Sequence, residues 1–398
     1  MSNLTNNSHL MNTYNRQPVT FVKGEGVWLW DEQGNKYLDA LAGVAVNGLG
    51  HAHPKLVKAI SEQAAKLIHV SNIYHIAEQE ALANKLAEIS GMDKVFFCNS
   101  GCEANEANIK LARLYAHNKG IENPEIIVME RSFHGRTMAT LSATGNRKTQ
   151  AGFEPLVSGF IRVPYDDLDA IKQIALRKNN VVAILVEPIQ GEGGIHIPAD
   201  LKAYFEGLRR VCDENGWLLM LDEVQSGIGR TGTWFAFQHT GVTPDVMSLA
   251  KGLGSGVPIG ACVAKGEAAE LFTYGKHGST FGGNPLATAA GLATLNAIKD
   301  ESLRENALKM GDLIVKTLTT ELVDTKGVAV IRHAGLMIGI ELDKPCADIV
   351  KMALETHLLI NVTADKVVRL LPPLIINEAE AIELATRLAK LIKQFLSQ

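Results

Sequence analysis

Short apolar segments alternate with helical patterns through residues 53–250, and this alternation restricts the fold more than any other feature. The apolar segments are Val95–Cys98, Ile126–Met129, Val181–Val186, Trp217–Leu221 and Val246–Leu249. The helical patterns are His53–Val70, Ala77–Ser90, Cys102–Asn118 and Ala199–Asn215. Continuous apolar runs of this length are typical of strands buried on both faces, and helices between them favour a mostly parallel sheet. We therefore predict an α/β protein.

The last third of the chain predicts a second, smaller domain. After Asn284 a long helical pattern leads to an extended segment, Ala329–Leu342, and then to a helix, a strand and an amphipathic helix from Glu378. Near the N-terminus, VWLWDEQGNKYLD has the pattern of a hairpin. We predict a large domain at residues 53–290 and a small α+β domain formed by residues 1–52 and 291–398.

Charge and cysteine content narrow the classes of protein to which the chain can belong. The net charge of −4, from 39 basic and 43 acidic residues, gives no support for a nucleic-acid partner. Five cysteines without a CxxC pair indicate a reduced, cytoplasmic protein. We expect no membrane helix, because no apolar run approaches ~20 residues, and the polar first twenty residues predict a tail rather than a targeting peptide. His51 and His53 lack a partner cluster, so we expect no metal.

Lys251 is the only charged residue between Val246 and Ala264. Burial among apolar residues and glycines lowers the pKa of an amine by as much as ~3 units, which makes it a nucleophile near neutral pH. A desolvated lysine commonly forms a Schiff base with a carbonyl cofactor. The alternative is a loop lysine that extends its ammonium group into solvent.

Asp222 and Glu223 follow the apolar run Trp217–Leu221. A carboxylate at the carboxyl end of a buried strand faces the crevice in which open α/β sheets bind ligands. There Asp222 can pair with a protonated ring nitrogen, which lets a pyridinium cofactor withdraw electrons from a carbanion. The alternative is an acid that caps the following turn.

Ser100, Gly101 and Cys102 lie between a short strand and a long helical pattern. A hydroxyl, a glycine and the free amides of a helix N-terminus form an anion site suited to a phosphate. An ordinary N-cap is the alternative for Ser100. A carbonyl-capturing lysine, an acid for a ring nitrogen and a phosphate site together indicate one cofactor, pyridoxal 5′-phosphate.

Seven motifs extend this pattern in order from about Pro18 to the C-terminus. They are SGCEANEANIKLAR, FHGRT, EPIQGEGG, LDEVQSGIGRTG, LAKGLGSGVPIGA, HGSTFGGNPLA and RLLPPL. The sequence resembles the class III (subgroup II) pyridoxal-phosphate aminotransferases. The resemblance implies fold type I and a homodimer with shared active sites. Cys102 departs from the family pattern, which usually has threonine, alanine or serine there.

The resemblance also implies an activity, transfer of the side-chain amino group of N2-acetylornithine to 2-oxoglutarate in arginine biosynthesis. Succinylornithine, succinyldiaminopimelate, ornithine and 4-aminobutyrate are alternative amine donors, because transaminases for these substrates share most of the motifs. A pocket that merely accommodates an acyl group discriminates weakly, by ~1–3 kcal/mol per small apolar change.

Several site residues take their roles from the resemblance. Phe133 and Val224 are expected on opposite faces of the cofactor ring, and Gln225 at its phenolic oxygen. Thr280, with Ser279 beside it, is expected to come from the neighbouring subunit and to bind the phosphate. Without the family match, these would be ordinary core or turn residues. The other expected cofactor-binding positions are Ser100, Gly101, Cys102, Asp222, Glu223 and Lys251.

Arg136 and Arg369 resemble the two carboxylate-binding arginines of the family. An arginine binds a carboxylate through two hydrogen bonds, and a transaminase that uses a dicarboxylic oxo acid needs two such sites. Glu192 resembles a gate that pairs with Arg369 when the substrate presents its ω-amino group. Solvated surface arginines are the alternative for both positions.

Gly227, Gly229 and Gly232 form a G-x-G-x-x-G pattern, which raises the alternative of an NAD-dependent oxidoreductase. That fingerprint requires a helix opening on the glycines, whereas TGTWFAFQHTG follows here and is poor in helix formers. An inactive pyridoxal-phosphate-fold binding protein is a third alternative, although it would be expected to have lost Lys251 or Asp222.

Overall fold

The computed structural model describes residues 9–398, so that the first part of the expected N-terminal tail lies outside it. Its strands are β1 (Phe21–Glu25), β2 (Trp28–Asp31), β3 (Lys36–Asp39), β4 (Lys94–Cys98), β5 (Glu125–Met129), β6 (Phe160–Val163), β7 (Val181–Val186), β8 (Leu218–Asp222), β9 (Val246–Leu249), β10 (Gly260–Ala264), β11 (Val328–Ala334), β12 (Met337–Leu342), β13 (Leu358–Leu359), β14 (Asn361–Thr363) and β15 (Val367–Leu370).

Helices cover much of the remaining chain. The α-helices are Pro54–Lys66, Ala77–Ser90, Gly101–Asn118, Met138–Ala143, Arg147–Gln150, Leu168–Arg177, Leu201–Asn215, Pro285–Asp300, Leu303–Leu322, Ile349–Glu355 and Glu378–Leu396. The turn Ala42–Ala45 has positive φ at each residue and is therefore left-handed. None of the helices within residues 9–398 is long and apolar enough to cross a membrane.

The large central sheet has the strand order β4-β10-β9-β8-β7-β5-β6. All of its pairings are parallel except those of β10, which runs antiparallel to β4 and β9. Every residue of β7, β8 and β9 is buried, as the continuous apolar runs predicted. The predicted mostly parallel α/β sheet is thus confirmed.

Two strands of this sheet were not predicted. The strand β6 lies at an edge and is half-exposed, so that it lacks a continuous apolar pattern. The strand β10, GACVA, is built largely from small residues with weak strand propensity. Its strand conformation follows from hydrogen bonding between β4 and β9, which is a tertiary effect.

Two smaller sheets contain the remaining strands. One has the order β1-β2-β3-β13, and its β2–β3 pair is the predicted hairpin. The other has the order β11-β12-β15-β14 and is antiparallel. The long helical pattern after Asn284 forms two helices rather than one, because the chain turns at Ser302, where φ is +52°. The division of the chain at residues 53 and 290 stays a prediction.

The carboxyl ends of β4, β5, β7, β8 and β9 meet at one edge of the central sheet, because these strands run in the same direction. Ligands bind at this edge in open α/β sheets. A polar or aromatic residue of the candidate site lies at the end of each strand or in the segment that follows it: Ser100, Phe133, Glu187, Asp222 and Lys251.

Candidate active site

A cavity of about 350 Å³ lies at the carboxyl edge of the central sheet. Nine of the predicted site residues line it: Ser100, Gly101, Cys102, Phe133, Glu192, Asp222, Val224, Gln225 and Lys251. They come from segments that are far apart in sequence, and the parallel strand order brings them together.

Lys251 follows β9 and lies in the cavity wall with a positive φ of +41°. Such a conformation is strained for a residue with a side chain and occurs often at functional sites. Burial lowers the pKa of the Lys251 amine, and the Arg369 guanidinium also lowers it, while Glu192, Asp222 and Glu187 oppose the shift. The amine therefore loses its proton more readily than an exposed lysine does.

Asp222, the last residue of β8, is buried and accepts hydrogen bonds at both carboxylate oxygens. Its Oδ2 accepts from Asn105 Nδ2 at 2.7 Å and lies 2.8 Å from His134 Nδ1. Its Oδ1 accepts from the Val224 backbone N–H at 3.0 Å. Asp222 thus caps the turn after β8, as the alternative interpretation expected, and it also lines the cavity, while its role at a ring nitrogen stays a prediction.

Asn105 and His134 belong to the site but were not predicted. Asn105 is fixed by Ser248, whose hydroxyl donates to Asn105 Oδ1 at 2.7 Å. The His134 side chain is fully buried, and its Nε2 has no hydrogen-bond partner among the described residues. A sequence signal existed for both, because they lie within the SGCEANEANIKLAR and FHGRT motifs.

Glu187 is a third cavity residue that was not predicted. It is buried and accepts hydrogen bonds from the backbone N–H groups of Phe133 at 3.0 Å and Gly191 at 3.3 Å. Burial raises the pKa of Glu187 well above its usual range, and the negative charge of Asp222 raises it further. Glu187 follows a buried apolar strand as Asp222 ends one, so the argument that selected Asp222 applied to it as well.

The helix Gly101–Asn118 begins at the cavity. Ser100 is its N-cap, with a hydroxyl that accepts from the Glu103 backbone N–H at 3.2 Å, as the alternative interpretation expected. A Cβ at Gly101 would lie 2.8 Å from Val224 Cγ1, so only glycine allows this close approach. Cys102 Sγ accepts from the Arg136 backbone N–H at 3.2 Å. The first helical turn, with its free amides and positive dipole end, thus borders the cavity.

Glu192 and Arg369 form the predicted ion pair, with 2.7 Å between Glu192 Oε1 and an Arg369 terminal nitrogen. The same nitrogen donates to Gln225 Oε1 at 3.3 Å, and Arg369 Nε donates to Asn361 Oδ1 at 3.1 Å. Burial raises the pKa of Glu192, but the charge and hydrogen bond of Arg369, together with Lys251 and Thr363, outweigh burial and lower the pKa overall. Arg369 is 1% exposed, so it is not the solvated surface arginine of the alternative interpretation.

Comparison with known proteins agrees with the chemistry that the cavity geometry indicates. A family model described as aminotransferase class-III matches residues 10–392. The chain belongs to the class III aminotransferases. It is 63% identical to acetylornithine aminotransferase of Nitrosomonas europaea over 98% of both chains. It is 50% identical to acetylornithine aminotransferase of Methanocaldococcus jannaschii, over 92% of this chain and 91% of the relative.

Solved structures of aminotransferases have the same fold as this class III aminotransferase. An ornithine aminotransferase from Toxoplasma gondii superposes with a TM-score of 0.94 at 33% identity, covering 98% of this chain and 93% of its own. Acetylornithine aminotransferase from Elizabethkingia anophelis has a TM-score of 0.87 at 36% identity, covering 98% and 96%. These similarities extend over both the central sheet and the smaller sheets.

One predicted cofactor-binding residue of this class III aminotransferase lies away from the cavity. The Glu223 carboxylate accepts from the Ser226 hydroxyl at 2.6 Å and from the backbone N–H groups of Ala236 at 3.0 Å and Phe237 at 2.8 Å. It does not line the cavity, because neighbouring side chains at a strand end point in opposite directions and Asp222 takes the cavity side. Glu223 therefore anchors the loop after β8.

Three other predicted residues are exposed or outside the cavity of their own chain. Arg136 is exposed, and its guanidinium carbon lies 5.6 Å from the centre of the Phe133 ring. Thr280 is exposed, whereas Ser279 is partly buried and its Oγ accepts from Asn99 Nδ2 at 3.2 Å. Their predicted roles at a substrate carboxylate and in a partner's site stay predictions.

The histidine pair and the glycine pattern also have defined places. His51 Nε2 lies 2.8 Å from Asp39 Oδ2, whereas His53 Nε2 lies 3.2 Å from Glu301 Oε2, so the two imidazoles have separate acidic partners. The segment Gly227–Gly232 forms turns, with φ of +85° at Gly229. The helix that a dinucleotide fingerprint requires does not open there.

Proposed function

We propose that this chain transfers the side-chain amino group of N2-acetyl-L-ornithine to 2-oxoglutarate, giving N-acetyl-L-glutamate 5-semialdehyde and L-glutamate. The observation that carries the proposal is the 63% identity, over 98% of both chains, to a protein named acetylornithine aminotransferase. The ornithine aminotransferase from Toxoplasma gondii is less similar, at 33–34% identity. The reaction would belong to arginine biosynthesis.

Pyridoxal 5′-phosphate is the proposed cofactor, and the chemistry of the cavity fits it. Ser100, Gly101 and Cys102 would hold the phosphate at the helix N-terminus, where anions are favoured. Phe133 and Val224 offer apolar surface for a planar ring. When bound, the cofactor supplies a carbonyl group that captures primary amines and a ring that withdraws electrons.

Asp222 and Lys251 would be the catalytic residues. Asp222 would hold a proton on the ring nitrogen, and the hydrogen bonds from Asn105 and His134 orient its carboxylate for this task. Lys251 would carry a proton between the substrate carbon and the cofactor carbon, since burial lowers the pKa of its amine. General acid–base catalysis of this kind contributes about 10²–10⁴ in rate.

The Glu192–Arg369 pair would let one cavity accept two different substrates. When acetylornithine presents its side-chain amine, its α-carboxylate lies far from the reacting carbon, and Glu192 neutralises Arg369. When glutamate presents its α-amine, its α-carboxylate lies close to that carbon, and Arg369 leaves Glu192 to bind it. Arg136 would bind the distant carboxylate at the cavity mouth.

We also propose a homodimer with shared active sites. Exposed apolar side chains lie near the exposed segment that contains Thr280: Leu67, Ile68, Ile73, Tyr74 and Phe281. The Asn72 amide joins the two segments by donating to the carbonyls of Ser279 at 3.0 Å and Gly282 at 2.9 Å. A second copy that covered this surface would bury apolar area and bring Thr280 to the partner's phosphate site. The five free cysteines suit the reducing cytoplasm, which is the proposed location.

A panel of amine donors tests the proposed substrate. The visible absorption of the bound cofactor is followed in single turnovers with acetylornithine, succinylornithine, succinyldiaminopimelate, ornithine and 4-aminobutyrate. We expect acetylornithine to give the highest rate constant per concentration, followed by regeneration with 2-oxoglutarate. A higher value for ornithine or 4-aminobutyrate would contradict the proposal, and no absorption change with any donor would contradict the aminotransferase assignment.

A further inference from the structure

Glu187 and Asp222 stand side by side at the carboxyl edge of the central sheet. The strands β7 and β8 are parallel, and Val186 pairs with Leu221, so that Glu187 follows opposite Asp222. Both acids line the cavity, and both are at most 5% exposed. The proposed reaction gives Asp222 a task, whereas it leaves Glu187 without one.

Each Glu187 oxygen accepts from the backbone of a different loop. Oε2 accepts from Phe133 N–H at 3.0 Å, in the loop that follows β5. Oε1 accepts from Gly191 N–H at 3.3 Å, in the loop that follows β7. Outside the cavity, Gln190 links the same two loops by donating to the Glu130 carbonyl at 2.8 Å. Glu187 is therefore the connection between these loops on the cavity side.

The two loops carry different parts of the site. The first places the Phe133 ring in the cavity wall. In the second, Gly191 directly precedes Glu192, the partner of Arg369. Gly191 also packs so closely that a Cβ there would lie 2.2 Å from Gln225 Oε1. Because Gly191 directly precedes Glu192, the position of the Gly191 amide controls where the Glu192 side chain leaves the backbone.

We propose that Glu187 is a positioning residue that fixes the Phe133 wall relative to the Glu192–Arg369 gate and so sets the balance between the two half-reactions. This inference rests on the proposed function. Loss of the Phe133 contact affects both half-reactions alike, because both use the same ring wall. Loss of the Gly191 contact loosens Glu192 on Arg369 and so favours glutamate, which needs Arg369 free, over acetylornithine.

Two substitutions remove the Glu187 contacts to different degrees. Glu187→Gln keeps the shape of the side chain but replaces one acceptor oxygen by an NH₂ donor. A glutamine can accept from only one of the two backbone N–H groups and must leave the other unbonded. Glu187→Ala removes both contacts.

Hydrogen exchange of the full-length protein, with and without added pyridoxal phosphate, measures the contacts without relying on activity. In Glu187→Gln, exchange in the segment containing Phe133 or the segment containing Gly191 should accelerate by about 2- to 12-fold, the net effect of one hydrogen bond. Tyr165→Phe is the matched control. It removes a hydroxyl that donates to the Glu187 and Pro188 carbonyls but leaves both carboxyl contacts. Unchanged exchange in both segments of Glu187→Gln would overturn the proposal.

Single-turnover rates provide the second readout. In Glu187→Ala, the acetylornithine rate divided by the glutamate rate should fall by at least about 2- to 12-fold, while Tyr165→Phe keeps the wild-type ratio. An unchanged ratio in Glu187→Ala, or an equal fall in Tyr165→Phe, would overturn the proposal. If Glu187→Ala does not fold, the exchange measurement on Glu187→Gln decides. Failure of wild type with both substrates would instead reject the proposed function.

Discussion

At the scale of single residues, burial gives three ionisable side chains of the strand ends different properties. It lowers the pKa of Lys251 and raises those of Glu187 and Glu223. The pKa values move in opposite directions for one physical reason: burial disfavours the charged form, which is the protonated form of a lysine and the deprotonated form of a glutamate. Lys251 and Glu187 line the cavity, whereas Glu223 bonds to a neighbouring loop.

Lys251→Ala should abolish covalent attachment of pyridoxal phosphate. Borohydride reduction of the wild-type protein followed by peptide mapping should place the label on Lys251, because its amine is the one held in the cavity with a lowered pKa. The variant should bind the cofactor without a covalent bond and lose at least about 10²–10⁴ in transamination rate. Lys265→Ala, at an exposed position, is the control. A label on another lysine would show that the assignment is wrong.

Glu223→Gln should change how stability depends on pH. Burial raises the pKa of Glu223 to about 7, above its value in an unfolded chain, so the folded state binds its proton more tightly. The resulting stabilisation is complete below about pH 4 and is lost as pH rises through 7, a difference of about 3 kcal/mol. The glutamine variant does not titrate, so its free energy of unfolding minus that of wild type should rise by this amount between about pH 4 and 8, on top of a constant penalty for the one backbone N–H that a glutamine NH₂ cannot accept. Urea unfolding at several pH values measures this, and parallel curves would contradict it. Glu62→Gln, at an exposed position, serves as control.

At the scale of elements, the site depends on where strands end and where one helix begins. The residues at the carboxyl ends of β4, β5, β7, β8 and β9 lie at one edge of the sheet, and the helix Gly101–Asn118 starts at that edge. The helix can begin so close to the loop after β8 because Gly101 has no side chain. Its Cα hydrogen faces the Val224 methyl groups, which themselves line the cavity.

Gly101→Ala should therefore separate the helix start from the loop after β8. The added Cβ would lie 2.8 Å from Val224 Cγ1 and 3.0 Å from Cγ2, so one element must shift. Overpacking of this kind costs about 1–3 kcal/mol in the free energy of unfolding, and the displaced amides should also weaken pyridoxal phosphate binding. Chemical unfolding and an absorbance titration measure the two effects. Adding Val224→Ala removes the obstructing methyl groups and should restore stability. A double variant no more stable than Gly101→Ala would contradict the steric explanation.

At the scale of the whole molecule, a residue from a separate sheet holds two of the side chains that line the cavity. Arg369 lies in β15 of the antiparallel sheet, yet it bonds to Glu192 and Gln225 at the edge of the central sheet. An exposed apolar surface with Ile73, Tyr74 and Phe281 lies beside the exposed Thr280. The first feature is a contact between two sheets of one chain, and the second is a surface on which a second copy of the chain can pack.

Mixed dimers test whether two copies share their sites. If Thr280 reaches the partner's cofactor, a dimer of one Lys251→Ala chain and one Thr280→Ala chain has one site with both defects and one site with neither. Unfolding and refolding the two variants together should then give activity above that of either variant refolded alone. Mass spectrometry confirms that mixed dimers form. Mixed dimers without any gain in activity would reject the shared site.

Local sequence patterns predicted most of the strands and helices, and nine of the residues predicted for the site line one cavity. Val181–Val186 and Val246–Leu249 have the predicted bounds as strands, and so has Ala77–Ser90 as a helix, because strong apolar periodicity decides local structure. Lys251 and Asp222 were identified because a charge next to a long apolar run at a strand end has few roles. The ion pair of Glu192 and Arg369 followed from the family motifs.

Contacts between elements distant in sequence determine which of two neighbouring residues faces the cavity and which residues meet across it. Asp222 and Glu223 are adjacent acids. Because successive side chains of a strand point to opposite sides, the two must point apart, but the sequence does not show which one faces the cavity. Asn105, His134 and Glu187 became site residues through strand register and helix placement, which join positions far apart in the chain. The strand β10 likewise owes its conformation to β4 and β9. A local sequence pattern shows which residues gain free energy from burial. The orientation of Asp222 and Glu223, the membership of the site and the conformation of β10 depend on contacts that exist only after the sheet has formed.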